Sequence, residues 1–371
     1  MTMIAGLKIN GYSFLISDTL ITGHNDGKTE ENNSAIPTLG DTSNFITNDN
    51  YNVLGLLSKI EIINNYFVIS WAGNVFAAKA IINQLIIKFN RKVPTHQEIV
   101  DCIDKSEHVH FIWIIKNTSG MELRSYNAAK NSNHKYFDES IVAGSSDTTI
   151  EEADEFFQNK SKSISLEDIV ADSACTALFM FSHLMNHEML MKDKANTLHD
   201  KFGGYYDLVL FYDDKFQRLN SVTFIYLDAT TDASGYIQIE GSGSIIKQSL
   251  HERKLIVNKI NFEATDTFNK NKLYSKINYN QSFPIHSTFK HPECIEHHDF
   301  SSQFVCIMTR CDSSLGHHCL IRKYETSRIA ERETIEITRK NKKLILKFNQ
   351  NFFKIYEKKL MSFYNGKQNN G

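Results

Sequence analysis

The sequence predicts a layered α+β domain, sheets covered by helices, over residues 1–230, and an extension of different pattern over 231–371. Three observations predict it. Apolar strand-like runs and long apolar helical runs alternate in blocks as far as about residue 230. Asn10-Gly11 sits between two such runs, and both residue types tolerate positive φ, which marks a tight hairpin. The stretch after Gly73, NVFAAKAIINQLIIKFNR, is apolar on nearly every side, so it reads as a buried helix.

In chain order, MIAGLKI and YSFLISD read as the two strands of the first hairpin. The polar stretch between Gly23 and Asn52 reads as a long surface loop or lid, because structureless loops of that length are usually functional. Two strands follow, Leu56–Ile63 and Tyr66–Trp71, around a turn at Asn64-Asn65. Asn74 is placed to cap the helix after Gly73, and a second short helix near His96–Ser106 follows Pro94. VHFIWIIKN and MELRSYN are further strands. An acidic helix begins after Gly144-Ser145, and Ser165-Leu-Glu-Asp168 opens a long helix with a capping-box-like start. Gly203-Gly204 turns the chain into the strand YYDLVLF, with SVTFIYLD beside it. Beyond residue 231, strand-like pieces such as YIQIE and KLIVNKINF alternate with polar stretches.

The 371 residues carry 41 Lys plus Arg against 43 Asp plus Glu, and the net charge of -2 gives no pull toward nucleic acid or an anionic membrane. No apolar run approaches the roughly 20 residues of a membrane span, and no signal-peptide pattern precedes Asp18. The six Cys are far apart in a long chain, which does not read as a disulfide framework and points to a reducing cytoplasm.

Thr2 is the first residue with catalytic chemistry. Its side chain is small enough for removal of Met1 to be tolerated. Once exposed, it carries a hydroxyl and an α-amine that titrates near pH 7.7–8, so one residue supplies nucleophile and base. The alternative is an ordinary residue leading the first strand.

Four segments in one order, TMIAGLKINGYSFLISDTLITG, SKIEIINNYFVISWAG, AGSSD and HDKFGGYYDLVLF, resemble the proteasome β subunits and their bacterial relatives. The resemblance covers roughly residues 2–215 and implies the four-layer αββα sandwich of the N-terminal nucleophile hydrolases, with peptide-bond cleavage by Thr2. It also implies roles for other residues. Lys59 stands beside the nucleophile and stabilises charge formed on attack. Asp18 pairs with Lys59, since an unpaired buried charge is costly. The Gly73 N–H serves an oxyanion hole, although a glycine needed only for a tight turn reads the same. Ser145 supports the amine, with Ser242 or Ser244 in EGSGSII as rivals. Trp71 makes a substrate pocket shallow, or is core. The Asp expected before the glycine pair falls on His199 or Asp200, of which Asp200 is taken. The Ser expected just ahead of that pair is Phe202, a departure that favours a catalytically silent scaffold subunit as the alternative. A small-substrate amidase is a third reading.

The resemblance implies a peptide or protein substrate, self-assembly into a homo-oligomer, an ATPase or regulatory partner, and no cofactor. Residues 286–319 hold six of the 15 His and four of the six Cys. Within them His291, Cys294, Cys311 and His317 have the ligand chemistry of a structural zinc site, against the plainer reading of a reduced, His-rich surface. The basic, aromatic C-terminal segment from Arg339 reads as a solvated face docked on the protein, not a nucleic-acid surface.

Overall fold

The computed structural model of the chain describes residues 2–24, 35–42, 50–103, 108–144, 147–158 and 165–231, then 237–251, 254–263, 273–284, 293–294, 304–311, 317–323, 335–340, 343–348 and 355–362. They form two compact units, one built on Met1–Leu219 and a second that takes in Asn220–Phe283.

In the first unit, strands β1 (Met3–Ile9) and β2 (Tyr12–Asp18) form the hairpin expected at Asn10-Gly11, with φ of 47° and 78° at the two turn residues. Next come β3 (Leu20–His24), the small hairpin β4 (Ala35–Ile36) and β5 (Gly40–Asp41), and β6 (Tyr51–Leu56), which pairs with β3. Strands β7 (Ile60–Asn64) and β8 (Phe67–Gly73) lead into helices α1 (Val75–Phe89) and α2 (His96–Ile103). Strands β9 (Val109–Asn117), β10 (Gly120–Tyr126), β11 (Ala129–Asn131) and β12 (Glu139–Gly144) precede α3 (Asp147–Phe157) and α4 (Leu166–Met191). The short α5 (Asn196–His199), β13 (Tyr206–Tyr212) and β14 (Lys215–Arg218) complete the unit.

The principal strands form two antiparallel sheets, in the orders β11-β12-β1-β2-β13-β14 and β10-β9-β8-β7. The sheets face each other, with β1 and β2 against β8 and β9. Helix α1 covers the outer face of the four-stranded sheet. Its Ala78, Ile81, Ile82, Leu85 and Phe89 pack in one core with Phe67, Ile69, Trp71, Phe111 and Trp113. Helix α4 lies on β2 and β13, and α3 packs on α4. Strand β2 is buried at every position because it has a sheet on one side and a helix on the other.

Two helix starts follow the local rules. Asn74 accepts hydrogen bonds from the N–H groups of Phe76 and Ala77 at 3.0 and 3.1 Å. Ser165 accepts from Asp168 N–H at 3.2 Å. Three expectations change. SVTFIYLD does not lie beside YYDLVLF but pairs with Ile237–His251 and Phe304–Cys311 in the second unit. The apolar run Leu56–Ile63 is not one strand. β6 ends at Leu56 and β7 starts at Ile60, with Ser58 and Lys59 between them turned into the interior, both buried. The polar stretch after Gly23 is not all surface, because the β4–β5 hairpin places Ile36 at 0% and Thr38 at 1% exposure.

The second unit is a sheet that includes β15 (Ser221–Thr231), β16 (Ile237–His251), β17 (Lys254–Glu263), β18 (Leu273–Pro284), β19 (Glu293–Cys294), β20 (Phe304–Cys311) and β21 (His317–Lys323). β15 pairs antiparallel with β16 and parallel with β20. A helix over 355–362 buries Tyr356 and Leu360, and the Tyr356 hydroxyl shares a 2.5 Å hydrogen bond with Thr309 on β20. Among the described residues no helix is long and apolar enough to cross a membrane.

Candidate active site

Thr2, Asp18 and Lys59 come together at one end of the first unit. Thr2 precedes β1, Asp18 ends β2, and Lys59 stands just before β7. Pairing of β1 with β2 brings the start of one strand beside the end of the other, with Ile4 opposite Ser17. The Thr2 hydroxyl donates to Asp18 Oδ1 at 2.8 Å. The Lys59 ammonium donates to the same oxygen at 2.6 Å and to the Leu20 carbonyl at 2.8 Å. Met3 N–H also donates to Oδ1, at 2.9 Å. The second oxygen, Oδ2, accepts from Leu20 N–H at 3.0 Å and Gly203 N–H at 3.1 Å.

Asp18 is therefore a carboxylate satisfied by five donors, fully buried, with Lys59 as its counter-ion at 1% exposure. Such a charge is tolerable in a dry interior only when paired and hydrogen-bonded. Burial lowers the Lys59 ammonium from the ordinary lysine range, and the neighbouring Asp18 carboxylate opposes that shift. The site thus holds a hydroxyl and an amine whose proton is easier to lose than usual, both on one anionic oxygen.

A neighbouring cluster holds the chain on either side of Lys59. Ser58 donates to Asp207 Oδ2 at 2.9 Å, and Arg218 donates to the Ser58 hydroxyl at 2.6 Å and to the Ile60 carbonyl at 2.7 Å while pairing with Asp207. These bonds pin residues 58 and 60, so the lysine between them has little freedom.

Gly73 ends β8 with φ +98°, directly before the α1 cap, and a Cβ there would meet the His108 carbonyl oxygen at 2.2 Å. It lies at the Lys59 end of its sheet, because Trp71, two residues earlier, donates its N–H to the Lys59 carbonyl at 2.9 Å. The Trp71 side chain is 3% exposed and packs in the core under α1. Asp200 is exposed at the C-cap of α5, and Phe202 is buried. The glycine turn that follows contributes a backbone group to Asp18, the Gly203 N–H, in place of a side chain.

Met1 and Ser145 lie outside the described residues. Gly144 is opposite Met3 in the β1–β12 pairing, so the chain reaches Ser145 from beside Thr2. Ser242 and Ser244 lie on β16, within the second unit. His291 lies outside the described residues. Cys294, Cys311 and His317 are strand positions, Cys294 on β19 beside β18, Cys311 ending β20 and His317 starting β21. Among the described residues no cluster of three metal-ligating side chains occurs.

Sequence reasoning did not reach the Leu20 carbonyl or the Gly203 N–H, because backbone groups carry no residue-type signature. Nor did it reach the closeness of Gly144. With φ +91°, a Cβ on Gly144 would stand 1.4 Å from the Thr2 carbonyl oxygen. Gly144→Ala is expected to cost at least roughly 1–3 kcal/mol and to push the start of β1 away from Asp18. Urea unfolding of the variant checks this, and wild-type stability would mean that β12 withdraws from Thr2 without penalty.

No family model matches the chain, and no curated protein matches it. Among solved structures it is weakly similar to that of the Gly-1 mutant of Anbu from Hyphomicrobium sp. strain MC1. The two share 13% sequence identity over 59% of this chain and 84% of the other, with a TM-score of 0.35.

Proposed function

We propose that the first unit is a four-layer αββα sandwich of the N-terminal nucleophile type, and that it hydrolyses peptide amide bonds with Thr2. The observation that carries this reading is the meeting of the Thr2 hydroxyl and the Lys59 ammonium on one oxygen of a fully buried carboxylate. Two strand ends and an interrupted strand converge on that arrangement, at a high cost in buried charge that the fold itself does not require.

The chemistry follows from the groups. With Met1 removed, the Thr2 α-amine takes the hydroxyl proton, directly or through water, as Oγ1 forms a bond to the amide carbon. Lys59, held by Asp18, stabilises the forming alkoxide, and the Gly73 N–H receives the oxyanion. Collapse breaks the C–N bond, and the leaving amine takes the proton from the α-amine. Water then hydrolyses the Thr2 ester by the same steps in reverse. A small-molecule amide would leave these roles unchanged. Ring assembly of identical subunits and an ATPase or regulatory partner belong with the peptidase reading, as does a cytoplasmic setting.

The second reading is a catalytically silent subunit that keeps the fold and binds or scaffolds. The buried Phe202 at the expected hydroxyl position and the exposed Asp200 favour it.

The test is the intact mass of untagged protein after incubation with a peptide epoxyketone, which needs a hydroxyl and a free amine on one residue. A chain lacking Met1 with one adduct on Thr2, absent in Thr2→Ala, is the expected result. Retained Met1, or a processed chain inert also to smaller electrophiles, would replace the hydrolase reading with the silent one.

A further inference from the structure

Glu188, near the end of α4, is a fully buried carboxyl outside the residues assigned above. Its Oε2 accepts from the Thr38 hydroxyl at 2.6 Å and its Oε1 from the Tyr206 hydroxyl at 2.6 Å. Thr38 belongs to the turn of the β4–β5 hairpin, so the side chain ties that hairpin to the long helix. The Gly204 N–H also bonds to it. Oε1 occupies the space that a Cβ on Gly203 would need, 2.5 Å away. The glycine turn is therefore clamped between two carboxylates. Gly203 gives its N–H to Asp18, and Gly204 gives its own to Glu188.

We propose that Glu188 is a protonation-controlled tie, which holds the β4–β5 hairpin closed over the glycine turn when neutral and releases it when ionised. It acts as a positioning residue for the Thr2–Asp18–Lys59 site. The proposal rests on the reading above only in taking that site as the reactive one.

Among the described residues, the ionisable groups that face Glu188 are Tyr206 on β13 and Asp18 on β2, with Lys59 bound to Asp18. The hairpin presents the Thr38 hydroxyl. Burial raises the Glu188 carboxyl from 4.5 to about 7. The Thr38, Tyr206 and Gly204 donors oppose that rise, and the Asp18 charge adds to it. The sign follows. With the hairpin open, water reaches the carboxyl and its pKa falls toward the ordinary value. The closed form therefore binds the proton more tightly than the open form. Raising pH through about 7 opens the hairpin, and lowering it closes the hairpin.

The experiment is hydrogen exchange of the full-length wild type, Glu188→Gln and Thr38→Val between pH 5 and 8.5, corrected for the intrinsic pH dependence of amide exchange. The expected result in the wild type is a loss of protection in residues 36–42, roughly tenfold or more, with a midpoint near pH 7. Glu188→Gln should keep the hairpin protected at every pH. Thr38→Val should expose it already at pH 5, while the strand core of the unit stays protected. A wild type without the step, or a Glu188→Gln variant that keeps it, overturns the proposal. Epoxyketone labelling runs in parallel and separates the two readings. A step without any Thr2 adduct removes the hydrolase reading and leaves the tie. An adduct without a step does the reverse.

Discussion

Replacing Lys59 with methionine is expected to destabilise the first unit by roughly 3–5 kcal/mol and to abolish labelling of Thr2. The cost arises from what is left behind. Asp18 remains fully buried, and the variant lacks the one full positive charge that contacts it among the described residues. The four remaining donors, Thr2 Oγ1 and the N–H groups of Met3, Leu20 and Gly203, soften the loss without cancelling it. The double variant Asp18→Asn/Lys59→Met should therefore be less destabilised than the sum of the two single changes, since no charge is then stranded. The measurement is direct. Both tryptophans of the chain, Trp71 and Trp113, are buried in one core cluster of the first unit, so their fluorescence in urea reports that unit alone. A Lys59→Met variant within about 1 kcal/mol of wild type would mean that the site admits water, so that no charge is stranded in a dry interior.

Glu188→Gln should have the opposite sign. The folded unit keeps the Glu188 proton up to about pH 7, whereas an ordinary carboxyl gives it up near 4.5. The unfolded chain therefore binds fewer protons across that window, and wild-type stability falls as pH rises through it. A rise from 4.5 to about 7 corresponds to roughly 3 kcal/mol, lost progressively and fully missing above pH 7. Glutamine cannot ionise, so the variant should match the wild type below about pH 4.5 and exceed it by up to that amount at pH 8. Urea unfolding at pH 4.5, 6 and 8 traces the curve. A constant difference across the three values would show that Glu188 does not titrate in the folded unit.

The part of the fold that was legible in the sequence depends on local rules. Asn10-Gly11 takes the positive φ values that its residue types favour, and Asn74 and Ser165 cap the helices that their positions suggested. The meeting of Thr2, Asp18 and Lys59 was expected from the resemblance carried by the four segments, and not from any local rule. What stayed hidden is non-local or carried by the backbone. Thr38 and Glu188 are 150 residues apart in sequence, and neither lies in a pattern that points to the other. The Gly203 N–H reaches Asp18 across 185 residues, and any residue type other than proline carries that donor. The break between Leu56 and Ile60 escaped notice because an apolar run shows where a chain is buried, and not where it turns a lysine inward.

The strand order of the six-stranded sheet also sets a timetable. β1 and β2 lie at its centre, and their neighbours β12 and β13 come much later in the chain. At a synthesis rate of about 5–20 residues per second, β13 emerges roughly 10–40 s after β1. Until β12 emerges the first hairpin has two open edges, the β2 edge stays open until β13 follows, and until then the Gly203 N–H that helps hold Asp18 does not yet exist. Once β12 and β13 have docked, both edges of the hairpin are paired and Thr2 is 7% exposed.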